Sequence, residues 1–228
     1  MTQIMPEQGR AGLSLPSPIN MDWQFPDRDV DAPVYLLVYA PTDPAHTRRD
    51  LHWSVAWPTS SASGALAAPA DILAWRHVQV ETYDVKTDPA PQPRYVYWGA
   101  CTKSADENAA RAEKLLLGTF SREQRRKVEE LAWETSVMHP NGDWNCQNWI
   151  LGLFDKLDAA GLIPRGRIDE VVKAAENGTS YTKSMRDGFD GHPLRKRTAV
   201  FQAGKKMVLL TAVRLLFVCS FNPMKLRA

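Results

Sequence analysis

A cysteine at the predicted start of an amphipathic helix is the residue in this sequence best placed for nucleophilic chemistry. Cys146 lies within the run 144–149, Trp-Asn-Cys-Gln-Asn-Trp, and the apolar residues after it recur at helical spacing. In the first turn of a helix, free backbone amides and the helix dipole favour thiolate over thiol, so the pKa of the thiol falls. The sequence therefore makes Cys146 a candidate nucleophile. The alternative is a small buried residue without a chemical role.

A nucleophilic cysteine also needs a base, and the histidines of this chain leave few candidates. Catalytic thiols are usually paired with a histidine whose ring is oriented by a third polar group. His52 and His77 lie on predicted strands, where they alternate with apolar residues. The other three histidines lie in Pro-flanked turns or in a basic tail. His52 and His77 are therefore the candidates, and the alternative for each is a half-buried histidine bonded to the backbone.

Strands are predicted where β-branched and aromatic residues cluster between turn-forming residues. Four such segments occur, at 34–39, 51–57, 73–80 and 94–98. Pro58 is expected to end the second strand, and the Ser/Ala-rich segment 59–69 is expected to be a flexible loop. This pattern predicts that His52 and His77 lie on neighbouring strands.

Helices are predicted in the second half of the chain. The segments 104–107 and 121–124 have the sequence of capping boxes, which open helices. The first of these helices is expected to bring Leu115 and Leu116 to the core, and the second is expected to run to about Val137. Further helices are predicted over 146–160 and 168–175.

Strands that precede helices without regular alternation indicate an α+β fold. We expect an antiparallel sheet of about four or more strands followed by packed helices, with the Cys146 helix on the sheet. Residues 1–32 form a Pro-rich leader that is expected to be flexible or draped over the domain, and residues 33–177 form the folded domain. Residues 178–228 form a basic extension, with eight Lys or Arg and no Asp or Glu from Gly191 onward. The extension is expected to be peripheral to the core.

The order of these residues resembles that of circularly permuted papain-like proteins, including the lecithin:retinol acyltransferase-like and PPPDE-type groups. Their cysteine motif, Asn-Cys-x-His-Phe, opens a helix, and the run 145–149 keeps the Asn-Cys pair and the aromatic residue three positions later. Asn148 stands where these groups have a histidine. His52 followed by an aromatic residue resembles their first histidine, and His77 resembles the second histidine of the acyltransferase group. The layout over residues 33–165 also resembles a family of uncharacterised fungal proteins.

The resemblance implies a permuted papain-like fold and a thiol mechanism that needs no cofactor. It assigns Cys146 as the nucleophile, His52 as the base and His77 as the group that orients the base. Hydrolase and acyltransferase activities are equally compatible with this assignment. The alternative from another functional class is a catalytically silent interaction module of the same fold, which binds a peptide or lipid in a Trp-lined groove.

Tryptophans flank the predicted nucleophile on both sides. Trp144 and Trp149, together with Asn145, are predicted to contact the substrate and to form an apolar groove for an acyl or peptide group. The alternative is that both tryptophans fill the core, where their large side chains pack well.

Composition argues against several other kinds of function. The chain has three widely spaced cysteines and no Cys or His pair with the spacing of zinc ligands, so neither a disulfide framework nor a metal site is predicted. The net charge of +2 does not indicate a nucleic-acid or membrane partner. With no signal peptide and no apolar run of about 20 residues, the sequence predicts an intracellular, cytoplasmic protein. The expected partner is a small-molecule, lipid or peptide substrate, and the oligomeric state is left open.

Overall fold

The structure is a computed structural model, and it describes most of the chain before the basic extension. The described residues are 3–14, 17–41, 43, 45–64, 66, 71–85 and 92–178. The extension predicted at 178–228 lies outside them from residue 179 onward. None of the helices in these ranges is both long and apolar enough to cross a membrane.

Strands and helices alternate little along the described chain. The strands are β1 (Ala32–Val38), β2 (Trp53–Ser61), β3 (Ile72–Val78), β4 (Glu81–Val85), β5 (Gln92–Val96), β6 (Cys101–Ser104) and β7 (Glu113–Phe120). The helices are α1 (Glu107–Arg111), α2 (Arg122–Glu134), α3 (Cys146–Ala159) and α4 (Arg165–Asn177). Two 3-10 helices precede strands, at Pro6–Gly9 and Arg48–Asp50.

Five of these strands form one antiparallel sheet in the order β6-β3-β2-β1-β7. The helix α3 packs on β2, and α4 packs on β7. This arrangement confirms the α+β prediction. The segment predicted as a fourth strand of the sheet falls in β5, which pairs with β4 in a separate hairpin.

The second strand is longer than predicted, because Pro58 does not end it. β2 continues to Ser61, and Pro58 lies opposite Trp75 of β3. The β2–β3 register shifts just after Pro58, and the pairing of β2 with β1 extends only to Ala56. A proline is tolerated at such a bulge because the ladder there does not need its missing N–H. The first residues of the predicted flexible loop are therefore strand.

The leucine run at 115–117 is a strand, where the sequence predicted a helix. The helix α1 is only five residues long and is capped by Asp106. Leu115 and Leu117 pack against the main core whereas Leu116 is exposed, which is the two-residue period of a strand. Pairing of this segment with β1 outweighs the helix propensity of its leucines.

The helices α2 and α3 follow the sequence signals closely. Ser121 and Gln124 form the predicted capping box of α2, in which each side chain accepts a hydrogen bond from the other residue's backbone N–H. The helix α3 begins at Cys146, as predicted, and buries Trp149 and Leu153 among its apolar face. These two helices have both a strong apolar period and a cap, so their positions are fixed locally.

The Pro-rich leader, for which the alternatives were a flexible segment and one draped over the domain, contacts the domain at several of its described residues. The backbone N–H of Met5 donates to the carbonyl of Val137 at 2.8 Å, and Met5 is buried in the main core. Farther along, Asp27 forms an ion pair of 2.8 Å with the buried Arg125 of α2. These contacts join the leader to α2 and to the segment after it.

The sheet has an apolar cluster on each face. The larger cluster contains Trp53 and Trp57 of β2 with Trp149 of α3, and the smaller one contains Ala56 and Trp75. Because side chains alternate along a strand, the even-numbered residues of β2 face the smaller cluster. The candidate site lies at the N-terminal end of β2.

Candidate functional site

The structure brings Cys146 and His52 together. Cys146 is the first residue of α3, and His52 immediately precedes β2. The thiol is buried, with 7% of the residue exposed, and the imidazole is partly buried. Hydrogen bonding and charge interaction link the two side chains. The predicted nucleophile and the predicted base are therefore neighbours in space although 94 residues separate them in sequence.

Each member of this dyad shifts the ionisation of the other. Burial raises the pKa of the Cys146 thiol, but the hydrogen bond and charge of His52 bring it below the usual value. Burial likewise lowers the pKa of the His52 imidazole, but Cys146, Gln79 and Glu81 raise it above the usual value. Both shifts favour a thiolate–imidazolium pair.

Two backbone amides add to the stabilisation of the thiolate. The N–H groups of Trp53 and Gln147 hydrogen-bond to the sulfur and lower the pKa of Cys146. The amide of Gln147 comes from the first turn of α3, where it also donates to the side chain of Asn145 at 3.0 Å and is therefore shared between the cap and the sulfur. The amide of Trp53 comes from the first residue of β2, so the strand as well as the helix contributes a donor.

The residues that flank Cys146 attach α3 to the chain just before His52. The side chain of Gln147 donates to the carbonyls of Arg48 and Leu51, each at 2.8 Å. The side chain of Asn145 caps the helix by accepting from the N–H of Gln147 at 3.0 Å, and it donates to the carbonyl of Arg49 at 2.9 Å. These bonds hold residues 48–51 against the start of α3, which places His52 next to the thiol.

Arg49 and Asn148 complete this attachment. Asn148 accepts a hydrogen bond from the backbone N–H of Asn145 at 3.0 Å, which closes the capping box of α3. The guanidinium of Arg49 donates to the side chains of Asn148 and Gln147. Asn148, at the position where the resembled families have a histidine, therefore has a structural part in positioning the helix.

Gln79, rather than His77, contacts the ring of the base. The side chain of Gln79 raises the pKa of His52 by hydrogen bonding, and its amide oxygen is the acceptor, because its amide nitrogen donates to Glu81 at 2.9 Å. The contact is looser than a well-formed hydrogen bond, since this buried oxygen has no partner among the described residues that meets the usual distance and angle limits. The sequence predicted the orienting role for His77, two residues earlier on the same face of the strand.

His77 has a different set of partners. Its Nδ1 lies 3.2 Å from the hydroxyl of Ser54 and 3.4 Å from the hydroxyl of Tyr39. The residue is buried, and burial together with the positive charges of Lys103 and His52 lowers the pKa of its imidazole to about 3. Tyr39 also packs against His52, with 5.4 Å between ring centroids. His77 is thus a neutral core histidine behind the dyad, without a hydrogen bond to the base.

A cavity of about 720 Å³ opens beside the dyad, on the sheet face that carries His77. Its described lining includes His52, His77 and Gln79 on the sheet but does not include Cys146. Six further ionisable residues of both signs line it, namely His46, Asp50, Glu81, Lys103, Asp106 and Arg111. The cavity is therefore polar and charged, and the base faces it while the thiol lies behind the base.

The three residues predicted to contact substrate have other partners. Trp149 is buried, donates from its indole N–H to the carbonyl of Thr135 at 3.1 Å, and packs on Tyr97. Trp144 is partly buried and packs edge-on against Tyr95. Asn145 has its side chain occupied by the capping and attachment bonds described above. The described lining of the cavity includes none of the three, so the predicted Trp-lined groove is not the cavity beside His52.

Sequence reasoning missed Gln79, Gln147 and Glu81. Gln79 lies two residues after His77, and residues at this spacing share one face of a strand. The alternation along the strand is therefore equally compatible with either residue as the group that orients His52. The register of β2 and β3 decides which of the two side chains lies near His52. It places His77 opposite Ala56, four residues after His52. Because the strands are antiparallel, Gln79 lies closer to His52 than His77 does. Gln147 is part of the cysteine motif, but its bonds to carbonyls 96 and 99 residues away had no local signal.

The described residues contain no group of three or more His, Cys, Asp or Glu side chains arranged to hold a metal ion. Comparisons with protein-family models, with curated proteins and with solved structures found no match for the chain.

Proposed function

We propose that this chain is a permuted papain-like domain that acts as a cysteine-dependent hydrolase or acyltransferase. The observation that supports it most is the contact of Cys146 with His52, in which the pKa of the thiol is lowered and the pKa of the imidazole is raised. The chain order also fits this proposal, with the histidine before β2, a polar orienting residue after β3 and the cysteine at the start of a later helix.

The proposed reaction has two steps, acylation and deacylation. The Cys146 thiolate attacks the carbonyl carbon of an amide, ester or thioester, and a carbon–sulfur bond forms. As the bond to the leaving group breaks, the imidazolium of His52 gives its proton to that group. Water or an acceptor then attacks the thioester, His52 takes the proton of the attacking group, and the thiolate is released.

The cavity favours a polar substrate group next to the base. His52 faces a space lined by acidic and basic side chains, including Glu81, Lys103 and Arg111. An apolar acyl chain would remove these charges from water without compensation, whereas a polar leaving group or acceptor can bond to them. We therefore place the leaving group or the acceptor in this cavity, in preference to a lipid.

The interaction module is the second candidate, and the burial of the thiol favours it. Only 7% of Cys146 is exposed, and the residue does not contribute to the described cavity lining. Such a module would bind a polar peptide in the cavity, and the peptide would not have to reach the sulfur. The two candidates differ in whether an acyl group reaches Cys146.

An acylation assay separates them. The full chain is incubated with p-nitrophenyl acetate and the acyl adduct is located by mass spectrometry of peptides. The proposal predicts an acetyl thioester on Cys146 that is absent in Cys146→Ala and forms more slowly in His52→Ala. Release of the adduct to water or to an added amine then distinguishes hydrolase from acyltransferase. Acetylation of Cys101 or Cys219 without Cys146, or of none of the three cysteines, would leave the interaction module as the better account.

A further inference from the structure

Glu81 is hydrogen-bonded to Gln79, the residue that contacts the ring of His52. Its Oε1 accepts from the amide nitrogen of Gln79 at 2.9 Å and from the ammonium of Lys103 at 2.7 Å. The amide oxygen of Gln79 lies on the side of the His52 ring. Lys103, Glu81, Gln79, His52 and Cys146 therefore form one continuous polar series, most of it along the cavity wall.

The carboxylate of Glu81 determines which way the amide of Gln79 points. Burial raises the pKa of Glu81, but the ion pair with Lys103 and the bond from Gln79 bring it below the usual value, so the group is ionised at neutral pH. An ionised carboxylate accepts hydrogen bonds and donates none. It can therefore be bonded only by the NH₂ group of Gln79, and the oxygen of that amide is left to face His52.

An oxygen beside the imidazole in turn selects one protonation pattern of the ring. It can only accept, so the nearer ring nitrogen must have its proton. The other ring nitrogen is then the one that exchanges a proton with Cys146. If the amide of Gln79 were reversed, its NH₂ would face an N–H of the imidazolium, and the thiolate–imidazolium pair would be less stable.

We infer that Glu81 is a positioning residue for the dyad: by fixing the amide of Gln79, it holds the imidazole of His52 in the orientation and tautomer that serve Cys146. This inference rests on the proposed function, because it assigns Glu81 to the same thiol chemistry. The other charged group near this series, Lys103, is paired with Glu81 and keeps it ionised. Two further titratable side chains neighbour His52, and both are uncharged at neutral pH: the pKa of His77 is about 3, and burial raises the pKa of Tyr39.

A double-mutant cycle tests whether Glu81 acts through Gln79. The rate of Cys146 alkylation by iodoacetamide is measured from pH 5 to 9 in the wild type, Glu81→Ala, Gln79→Ala and the double variant. Glu81→Ala is expected to slow labelling at pH 7 by about fivefold, the size of one lost hydrogen bond to a charged pair, and to move the pH midpoint upward. In the Gln79→Ala background, the same substitution is expected to add no further slowing. Labelling of Cys101 is the internal control for folding, since an unfolded variant exposes both thiols.

Two outcomes would overturn the inference. If Glu81→Ala slows labelling equally in both backgrounds, Glu81 acts by its charge and not through the amide. If it has no effect in either background, it has no part in the site. Glu81→Gln, which keeps the side-chain volume, gives the same comparison if the alanine variant does not fold. His52→Ala separates this inference from the proposed function: slow labelling in His52→Ala with normal labelling in Glu81→Ala contradicts the role of Glu81 alone.

Discussion

Two cysteines of this chain are buried to nearly the same extent, yet their surroundings affect the thiols in opposite ways. Cys146 is 7% exposed and Cys101 is 8% exposed. The pKa of Cys146 is lowered, whereas burial raises the pKa of Cys101. The difference lies in the partners. Each thiol has a carbonyl nearby, that of Leu51 at 3.9 Å from Cys146 and that of Ile19 at 3.4 Å from Cys101, but Cys146 also has the imidazole of His52 and two backbone amides next to its sulfur.

This contrast shows that burial alone does not indicate whether a cysteine is reactive. A thiol surrounded by acceptors stays protonated, and a thiol surrounded by donors becomes a thiolate even in a core. The site at Cys146 is also the point where a helix start, a strand start and a preceding loop are joined by side-chain bonds. Cys101 is the first residue of the edge strand β6, where it pairs with His77 of β3.

The largest expected effect comes from removal of the base. His52→Ala should slow alkylation of Cys146 at pH 7 by about 100-fold, because the thiolate loses its imidazole partner and the pKa of the buried thiol rises. The rate for Cys101 in the same sample should stay within twofold, since His52 does not contact it. Peptide mass spectrometry after timed quenching gives both rates. Equal slowing of the two thiols would point to a general change in the fold instead.

The two histidines of the site also differ, since the pKa of His52 is raised and that of His77 is lowered. The lowered pKa of His77 makes the stability of the fold depend on pH. His77 is neutral in the folded chain, with a pKa of about 3, while the unfolded chain binds a proton below about 6.5. Its contribution to stability is therefore complete above pH 6.5 and is lost as the pH falls towards 3. The loss is about 1.4 kcal/mol per pH unit within that window.

His77→Gln should remove this dependence, because glutamine does not titrate. Between pH 7.5 and pH 5, the unfolding free energy of the wild type should fall by about 2 kcal/mol more than that of the variant. Urea unfolding at the two pH values measures the difference. Parallel pH dependence in both proteins would show that His77 is charged or exposed in the fold.

Gln79 and His77 give the next comparison. The sequence analysis assigned the role of orienting His52 to His77, whereas in the structure Gln79 contacts the ring. Gln79→Ala should slow Cys146 alkylation at pH 7 by about fivefold, the effect of losing one hydrogen bond to the imidazolium. His77→Gln, the matched control on the same face of the strand, should leave the rate within twofold. The opposite order of effects would return the orienting role to His77.

The smallest expected effect concerns the leader that covers Cys101. Asn20 accepts a hydrogen bond from the backbone N–H of Thr102 at 3.0 Å and so ties the leader to β6. Asn20→Ala should raise the alkylation rate of Cys101 about threefold, because local opening becomes easier by less than one hydrogen bond. Cys146 should be unaffected. A change at Cys146 instead would mean that the leader also controls the dyad.

The parts of the fold that were predictable have strong local signals. The helix α2 has a capping box and an apolar face, and the strands β1, β2 and β3 are dense in β-branched and aromatic residues. The strand β7 was not predictable, because a leucine-rich run favours a helix until an edge of the sheet is available to it. The contacts of the leader were not predictable either, since they join residues about 80 to 130 positions apart.

In the candidate site, too, features with a local sequence signal were predictable, and features that depend on contacts between distant residues were not. The position of Cys146 at a helix start has a local cause, so the sequence could predict it. The choice of His52 as its neighbour followed from chain order and resemblance. The roles of Gln79 and Glu81 depend on strand register and on the direction of an amide, which no local pattern encodes.

The pH profile of Cys146 alkylation tests the central claim most directly. Rates for Cys146 and Cys101 are measured together with iodoacetamide from pH 5 to 10 on the full chain, by peptide mass spectrometry. The account predicts that Cys146 is labelled faster at neutral pH, with a midpoint below the usual thiol value of 9.0, and that the midpoint for Cys101 lies above it. His52→Ala should move the Cys146 midpoint up towards that of Cys101. A Cys146 midpoint at or above that of Cys101, unchanged by His52→Ala, would contradict the existence of a reactive dyad.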